Sequence, residues 1–414
     1  MKIFFPFLIL ASLCIISCEK AEGDDDDDDG NGTGDDTTSI SGTWEGSWYF
    51  DFDGTIDGGE GYDVIKSSVD NKIYICGAFL HVNNNWDMKN LTRWVPGTNT
   101  WEQVPGIDYY HNNFIRCVTE DDAGNLYFGG DFSSIGGKTA GRVGKFDVNT
   151  GTWSALRDEN FDPVDDEYGP SAGGVYAIAY MNGYIYIGGY IFNHDSASLR
   201  YILRYNTSSQ TWESVGEGVN GKVCCMCTDG SGNLYVGGQF TEAGGSAANY
   251  IAKWDGTNWS AIGDGTDDYV LSLAYSNGNL YVGGSFRNVG GSTVSQGVAK
   301  WDGGSWQAMG KGIYASWGST YSVQDICVDT DGKVYISGGF DRNYETDDTL
   351  NHVGVYDSGA WKSLGAGLGT TSSQTVIGSY ADGKNIYFVG YFSKGDGNPN
   401  VKYNTAVWNE NMGK

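Results

Sequence analysis

Seven tyrosines along the chain are each followed three residues later by a glycine, and this pairing constrains the fold more than any other feature. The pairs are Tyr74/Gly77, Tyr127/Gly130, Tyr186/Gly189, Tyr235/Gly238, Tyr281/Gly284, Tyr335/Gly338 and Tyr387/Gly390. A phenylalanine stands five residues after the tyrosine in six of the seven units, and Ile191 takes that place in the third. Successive tyrosines are 46 to 59 residues apart. A β-type pattern repeating at about 40 to 50 residues is typical of a propeller, so we predict a ring of seven similar units.

Each unit reads as four short strands, shown most clearly by the fourth unit with its runs at 223–227, 232–240, 250–256 and 258–263. β-branched and aromatic residues fill the runs, turn-forming residues fill the gaps, and no helical period is present. The third and fourth strands carry aromatic pairs at Trp94/Trp101, Phe146/Trp153, Tyr205/Trp212, Trp254/Trp259, Trp301/Trp306 and Tyr356/Trp361. An apolar residue follows each second aromatic by three, at Val104, Leu156, Val215, Ile262, Met309 and Leu364. The sequence therefore predicts an all-β fold, a seven-bladed β-propeller of four-stranded antiparallel blades.

The seventh unit is incomplete, because the chain ends at Lys414 without a partner for Trp408. Conversely, the segment 41–48 (SGTWEGSW) precedes the first repeated strand and has nothing of its own to pair with. We expect this N-terminal segment to supply the outermost strand of the last blade, since an open ring would leave a strand edge free to pair with other chains. The predicted propeller domain spans residues 40–414.

The strand 184–189 (YIYIGG) and the segment 204–216 (RYNTSSQTWESVG) resemble the kelch repeat, in which a glycine doublet precedes a tyrosine and a tryptophan. This repeat builds kelch propellers and the central domain of galactose oxidase, and the resemblance covers residues 44 to 414. Several units add a second glycine doublet, as at Gly136/Gly137, a variant that resembles repeats of secreted and surface bacterial proteins. The resemblance implies the propeller fold but no particular function.

The first residues predict export. Lys2 precedes an apolar run at 3–16, which is too short to span a membrane durably and reads as a signal peptide at 1–17. The string 15–18 (IISC) resembles a bacterial lipobox, which implies cleavage before Cys18 and lipidation of that cysteine. The alternative is an ordinary signal peptide with an incidental cysteine.

Residues 18–39 are dense in acidic residues and poor in apolar ones, which predicts a solvated tether. Acids directly after a lipidated cysteine resemble the surface-export signal of Bacteroidetes lipoproteins. The resemblance implies an outer-membrane protein that is lipid-anchored and exposed at the cell surface.

The net charge of the chain limits which partners are expected. A formal net charge of −27 would repel nucleic acid and acidic lipid, so neither is expected as a partner.

Cys224, Cys225 and Cys227 lie in one inner strand, where alternation places Cys225 and Cys227 on one face. Soft-metal binding is one interpretation. The interpretation we favour is that these small apolar thiols fill the tapering centre of the ring.

The motifs of common catalytic classes are absent from the sequence. Its four histidines have no metal-ligand spacing, and no nucleophile elbow or phosphate-binding loop occurs. The tyrosine, histidine and cysteine ligands of the galactose oxidase copper site cannot be placed. We therefore expect no catalytic residue, metal or cofactor, and we keep a glycan lyase or hydrolase as the enzymatic alternative.

Long, irregular loops are predicted on one face of the ring, because second-to-third strand loops and blade-to-blade loops emerge together. They carry aromatic and acidic residues that could stack on a sugar and bind its hydroxyls. The candidate ligand-binding residues are Trp86, Tyr109, Tyr110, His111, Phe161, Asp165, Asp166, Glu167, Tyr168, Trp317 and Tyr344. The alternative is that these side chains pack within their own loops.

Three function classes follow from these features. The first is a monomeric, membrane-anchored binding module for a glycan or protein ligand on the long-loop face. The second is a glycan-cleaving enzyme that would use the carboxylates of Asp165, Asp166 and Glu167. The third is a structural partner in an envelope complex.

Overall fold

The computed structural model describes residues 47–49, 56–57, 59–82, 85, 87–107, 114–156, 173–191, 201–317, 321–369, 371–392 and 403–409. Within these ranges the backbone forms strands, turns and bends without a helix. Seven four-stranded antiparallel sheets stand in a ring, which confirms the predicted seven-bladed β-propeller.

We number the blades 1 to 7 and letter their strands A to D from the channel outwards. The A strands are Glu60–Lys66, Ile115–Glu120, Gly174–Met181, Val223–Thr228, Val270–Ser276, Ser322–Val328 and Thr375–Asp382. The B strands are Ile73–Ala78, Asn125–Gly130, Tyr184–Tyr190, Leu234–Gly238, Asn279–Gly284, Val334–Gly339 and Asn385–Phe392. The C strands are Leu91–Val95, Val143–Asp147, Ile202–Asn206, Ile251–Trp254, Val298–Trp301, Val353–Asp357 and Tyr403–Asn409. The D strands are Thr100–Gln103, Thr152–Ala155, Thr211–Ser214, Trp259–Ala261, Trp306–Ala308, Ala360–Ser363 and Ser47–Tyr49.

The N-terminal segment closes the ring, as predicted. Ser47–Tyr49 pairs antiparallel with the C strand of blade 7, and Trp48 lies directly opposite Trp408. Trp408 is 1% exposed. Trp48 therefore takes the place of the outer aromatic in this blade, which settles the register that the sequence left open.

The aromatic pairs of the C and D strands are direct cross-strand neighbours in blades 1 to 6. Their ring centroids lie 4.9 to 5.4 Å apart. The outer tryptophan also joins neighbouring blades. The indole N–H groups of Trp212, Trp259, Trp306 and Trp361 donate to the carbonyl oxygens of Leu156, Val215, Ile262 and Met309 at 2.8 to 3.1 Å. The apolar residue three after the outer aromatic is thus the acceptor for the next blade in blades 2 to 5, whereas Trp153 of blade 2 donates to the carbonyl oxygen of Pro105.

The glycine three residues after each tyrosine lies where the A strand presses against the B strand. A Cβ atom at any of the seven positions would fall 2.0 to 2.4 Å from the carbonyl oxygen of the first residue of the A strand or of the residue just before it. Real Cβ atoms do not approach an oxygen so closely, so only glycine fits there. A β-bulge interrupts the A–B pairing beside this contact in all seven blades. In each blade, the repeated glycine of the B strand therefore packs beside the repeated bulge of the A strand.

The glycine just before that position sets the distance between blades. A Cβ at Gly129, Gly188, Gly237 or Gly283 would lie 2.4 to 2.6 Å from a valine methyl carbon of the next blade's A strand. At the seam between blades 7 and 1 the two residue types are exchanged, and Val389 of blade 7 faces Gly61 of blade 1. One large and one small residue fill the same space, so the blades keep their spacing at the closure.

The B–C loops and the D–A connections meet on one side of the ring, as predicted. The connection before blade 6 forms a two-stranded ribbon with the B–C loop of blade 6, Ile313–Tyr314 against Arg342–Asn343. Ile56–Asp57 pairs with His81–Val82 in the same way at blade 1. Single bridges join the corresponding loops at blades 4 and 5. We call this side the loop face.

Candidate functional site

The seven A strands line a central cavity of about 500 Å³. The extra residue of each bulge lies at the start of its strand, which is the end nearest the loop face, and lines this cavity. These residues are Tyr62, Arg116, Tyr176, Cys224, Leu271, Gln324 and Ile377. Bulges re-aim a side chain and are common next to functional sites. The residues of the bulges form a ring at the mouth of the channel, and they differ from blade to blade.

Two cations and three tyrosines gather at this mouth on blades 1 to 4. The guanidinium carbon of Arg116 lies 5.3 Å from the ring centroid of Tyr62 and 4.7 Å from that of Tyr176. The ammonium of Lys222 lies 3.5 Å from the centroid of Tyr176 and 5.4 Å from that of Tyr190. Each distance is within the range of a cation–π contact. We call these five residues the mouth cluster.

The two cations differ in their partners. Arg116 donates through Nε to a carboxylate oxygen of Asp131 at 2.8 Å, and both side chains are mostly buried. Lys222 forms no ion pair with any described carboxylate. Burial lowers the pKa of the Lys222 ammonium, and the positive charge of Arg116 acts in the same direction. The mouth cluster therefore contains one neutralised cation and one cation that, among the described residues, has cation–π contacts but no ion pair.

Tyr190 gives the mouth cluster an exposed aromatic surface. Its side chain is 41% exposed, and its ring meets that of Tyr176 at 79° with centroids 6.2 Å apart. Because Tyr190 ends the B strand of blade 3, it lies on the loop face. An exposed ring that its neighbours hold in place is suited to stacking against a flat ligand face.

Two half-buried carboxylates lie deeper in the channel. Asp63 of blade 1 accepts the backbone N–H of Val118 in blade 2 at 2.9 Å. Asp325 of blade 6 accepts the hydroxyls of Ser272 in blade 5 and Ser379 in blade 7 at 2.7 and 2.8 Å. Burial raises the pKa of Asp63 to about 7, and the charge of Asp325 adds to the rise. Burial also raises the pKa of Asp325. Both carboxyl groups join the inner strands of neighbouring blades.

We expect the Asp63→Asn variant to lose part of the pH dependence of stability. The pKa of Asp63 is about 7 in the folded chain, above its ordinary value of 3.8. The folded state therefore holds a proton that the unfolded state has released, and stability falls as pH rises toward 7. Between pH 5 and 8 this fall is on the order of 2 kcal/mol for one group, and an amide does not titrate.

Urea unfolding at pH 5 and pH 8 measures this change. The control is Asp255→Asn, because Asp255 is exposed and backbone N–H groups of its turn lower its pKa, so nothing titrates there above pH 5. Equal pH dependence in Asp63→Asn and the original chain would contradict the assignment.

The thiols of the inner strands are structural. Cys225 and Cys227 pack into the apolar cluster between blades 4 and 5, which confirms their predicted packing role. Burial raises the pKa of both thiols, so they stay protonated at neutral pH. Cys224 is the bulge residue of blade 4 and lines the channel. The six cysteines in the described residues are free, and those residues hold no cluster of three or more ligands that would suit a metal ion.

Most of the predicted ligand-binding residues lie outside the described ranges. These are Trp86, Tyr109, Tyr110, His111, Phe161, Asp165, Asp166, Glu167 and Tyr168, and Cys18 also lies outside. Trp317 and Tyr344 are described. Trp317 is half-buried and stacks on the buried ring of His352, with centroids 5.5 Å apart. Tyr344 is 40% exposed beside Tyr314, at 4.5 Å between centroids. Of the two, Tyr344 is the more accessible, and the rim as a ligand site stays a prediction.

Sequence reasoning missed the mouth cluster. Its residues occupy positions that the repeat leaves variable, and the bulges shift three of them, Tyr62, Arg116 and Tyr176, out of the alternating pattern that predicts which face a strand residue takes. A signal was present at the bulge position of each A strand, which can be aligned across the seven units. Aligned across the units, this region holds large polar or aromatic residues in blades 1 to 3 and 6, where a core position would be apolar.

No model of a known protein family matches the chain, and no curated protein matches it. Among solved structures, it is similar to the extracellular domain of a B. thetaiotaomicron protein proposed to be a one-component system. That similarity has 14% identity and a TM-score of 0.52, covering 88% of this chain and 40% of the other. A second structure is the extracellular domain of a proposed hybrid two-component system of the same organism, with 12% identity, a TM-score of 0.52 and coverages of 88% and 39%.

The chain thus spans about two fifths of these two structures. At such identity the similarity shows a shared fold alone. The kelch resemblance is carried by the repeated residues and not by any of these matches. In the described part of the chain no helix could cross a membrane.

Proposed function

We propose that this protein is an extracytoplasmic binding or sensing module that takes a glycan at the channel mouth on its loop face. The observation that carries the proposal is the mouth cluster, where exposed Tyr190 and the cation–aromatic contacts of Arg116 and Lys222 stand at the entrance of a cavity of about 500 Å³. A concave site with aromatic walls and a few polar groups is typical of small-molecule and sugar binding. The two similar solved structures are extracellular domains, which supports a location of this protein outside the cytoplasm.

The proposal includes an anchor. The lipobox-like string ending at Cys18 and the acidic segment that follows support a lipid-anchored protein at the outer surface of the outer membrane. Membrane fractionation of a Cys18→Ser variant tests this part, since the variant should leave the membrane fraction. Retention in that fraction would refute the anchor without touching the binding proposal.

We expect Tyr190→Ala to weaken glycan binding by about 1 to 3 kcal/mol, because loss of an anchor aromatic at a binding site commonly costs that much. The full chain is first screened on an array of bacterial, plant and host glycans, and the affinity for the best glycan is measured by calorimetry. The melting temperature should change little, since Tyr190 is 41% exposed.

The matched control is Val69→Ala, which removes a 37% exposed apolar side chain from an A–B turn on the opposite face. Binding should be unchanged in this variant. If the two variants bind equally well, the ligand does not contact the mouth cluster.

Glycan cleavage is the second candidate. Asp63 and Asp325 are two carboxyl groups in one cavity, and burial raises the pKa of both. Carboxyl pairs with separated roles are what glycoside hydrolysis requires. Release of reducing ends from the bound glycan, abolished in Asp63→Asn, would favour the enzyme. Binding without any product would favour the module.

A further inference from the structure

The Lys222 ammonium is a half-buried cation without an anionic partner among the described residues. It makes cation–π contacts with the rings of Tyr176 and Tyr190. Taking an ammonium out of water costs free energy, and an aromatic face returns only part of it. A lysine that served only packing could extend its head into solvent, as long charged side chains usually do. The position of Lys222 at the channel mouth therefore suits an incoming anion.

Among the described residues, the charges around Lys222 leave one positive charge uncompensated. Besides burial, the groups acting on its ammonium are the Cys224 thiol, Arg116 and Asp131. The thiol is neutral because burial raises its pKa, and Arg116 and Asp131 neutralise each other in a direct ion pair. The carboxylate of Glu60 acts on Tyr62 of blade 1. Arg116 of blade 2 contacts both Tyr62 and Tyr176 and so separates this carboxylate from Lys222. In a chain with a formal net charge of −27, this is a local exception. A single excess charge matches a monoanionic group better than a dianion.

The rings beside Lys222 indicate what carries that anionic group. Tyr176 has cations over it, Lys222 at 3.5 Å and Arg116 at 4.7 Å, so little of its face is left for a ligand. Tyr190 is the exposed ring. An anion on Lys222 would therefore have its carrier beside Tyr190, where the apolar face of a pyranose ring can stack.

We propose that the channel mouth selects an acidic saccharide, with a monoanionic group on Lys222 and the sugar ring against Tyr190. This specificity rests on the proposed function of the same site and adds the class of its ligand. The monoanion is either the carboxylate of a uronic acid or a sulfate ester, since both carry one negative charge and bind an ammonium through oxygen atoms.

Matched glycan pairs test the proposal with the full chain. The pairs are polygalacturonate and its methyl ester, hyaluronan and its carboxyl-reduced form, and chondroitin with and without its sulfate groups. We expect the acidic member of a pair to bind and its neutral counterpart to bind at least about tenfold more weakly, because a hydrogen bond to a charged group is lost. The chondroitin pair separates sulfate from carboxylate. Raising the salt concentration should weaken the binding, although less than for an exposed charge pair.

Lys222→Gln should weaken binding of the acidic glycan by about tenfold or more, and Lys222→Arg should retain most of it. Lys138→Gln is the charge-matched control, because Lys138 is an exposed lysine on the B–C hairpin of blade 2, and it should leave affinity within about twofold. Equal melting temperatures establish that the variants are folded.

The outcomes separate the two proposals. Binding of a neutral glycan that depends on Tyr190 and not on Lys222 would overturn the acidic specificity and leave the proposed function standing. No glycan bound at all would overturn both. Binding of an acidic glycan with Lys222→Gln unaffected would overturn this site as the source of the specificity.

Discussion

Replacing Gly284 by alanine should lower the free energy of unfolding by about 3 kcal/mol or more, as overpacking at a rigid site does. A Cβ at this position would lie 2.1 Å from the carbonyl oxygen of Tyr269 and 3.1 Å from the ring of Phe286. Backbone atoms cannot move aside as the end of a flexible side chain can. Because this glycine faces the bulge of blade 5, the substitution should also disturb the bulge.

Denaturant unfolding monitored by tryptophan fluorescence measures the loss, and Gly97→Ala is its control. Gly97 lies in the C–D turn of blade 1, and a Cβ there would meet no atom within 4 Å. We expect its stability to stay within about 0.5 kcal/mol of the original chain. If Gly284→Ala unfolds at the same denaturant concentration as Gly97→Ala, the repeated glycine is not required by the bulge.

Deleting residues 40–50 should cost about 4 kcal/mol and promote aggregation. The deletion removes the D strand Ser47–Tyr49 and its pairing with three residues of the C strand of blade 7. It also uncovers Trp408, which is 1% exposed in the closed ring. Exposing a large apolar side chain costs about 2 kcal/mol, and the lost strand pairing adds to it. The bare edge of blade 7 would then be free to pair with other chains.

Calorimetry and light scattering on heating follow both effects. A deletion of the same length within the acidic segment, residues 19–29, is the control, and it should leave the melting temperature unchanged. A closing-strand deletion that melts like this control and remains monomeric would show that the ring does not depend on its N-terminal strand.

The fold could be predicted from the sequence because the repeat reports directly on packing. The tyrosine-glycine spacing and the aromatic pairs predicted blades, strands and the closure at Trp408, and the structure confirms all three. The reason for the glycine could not be predicted. It depends on the approach of the A-strand carbonyl to the B strand, which only appears when the bulge is in place. The register of the closing strand likewise required the structure, because the segment 41–48 holds two tryptophans, Trp44 and Trp48.

The candidate site was less predictable, for a physical reason. Arg116 and Lys222 are about one hundred residues apart in the chain, and they meet Tyr176 because blades 2, 3 and 4 converge at the axis. Single residues at non-repeating positions give no periodic signal. Loop composition drew attention to the loop face, where Tyr344 lies exposed. The cluster at the channel mouth depends instead on the A-strand residues Tyr62, Arg116 and Tyr176, with Tyr190 at the end of a B strand and Lys222 just before the A strand of blade 4.

Amide hydrogen exchange of the full chain, with and without the best-binding glycan, tests most directly whether the channel mouth on the loop face is the binding site. We expect protection at the starts of the A strands of blades 2 to 4, in peptides covering residues 114–118, 174–178 and 220–226, and no change in the A–B turns at 67–72 and 121–124 on the opposite face. Protection confined to those turns or to the outer strands, with the A-strand starts unchanged, would contradict it.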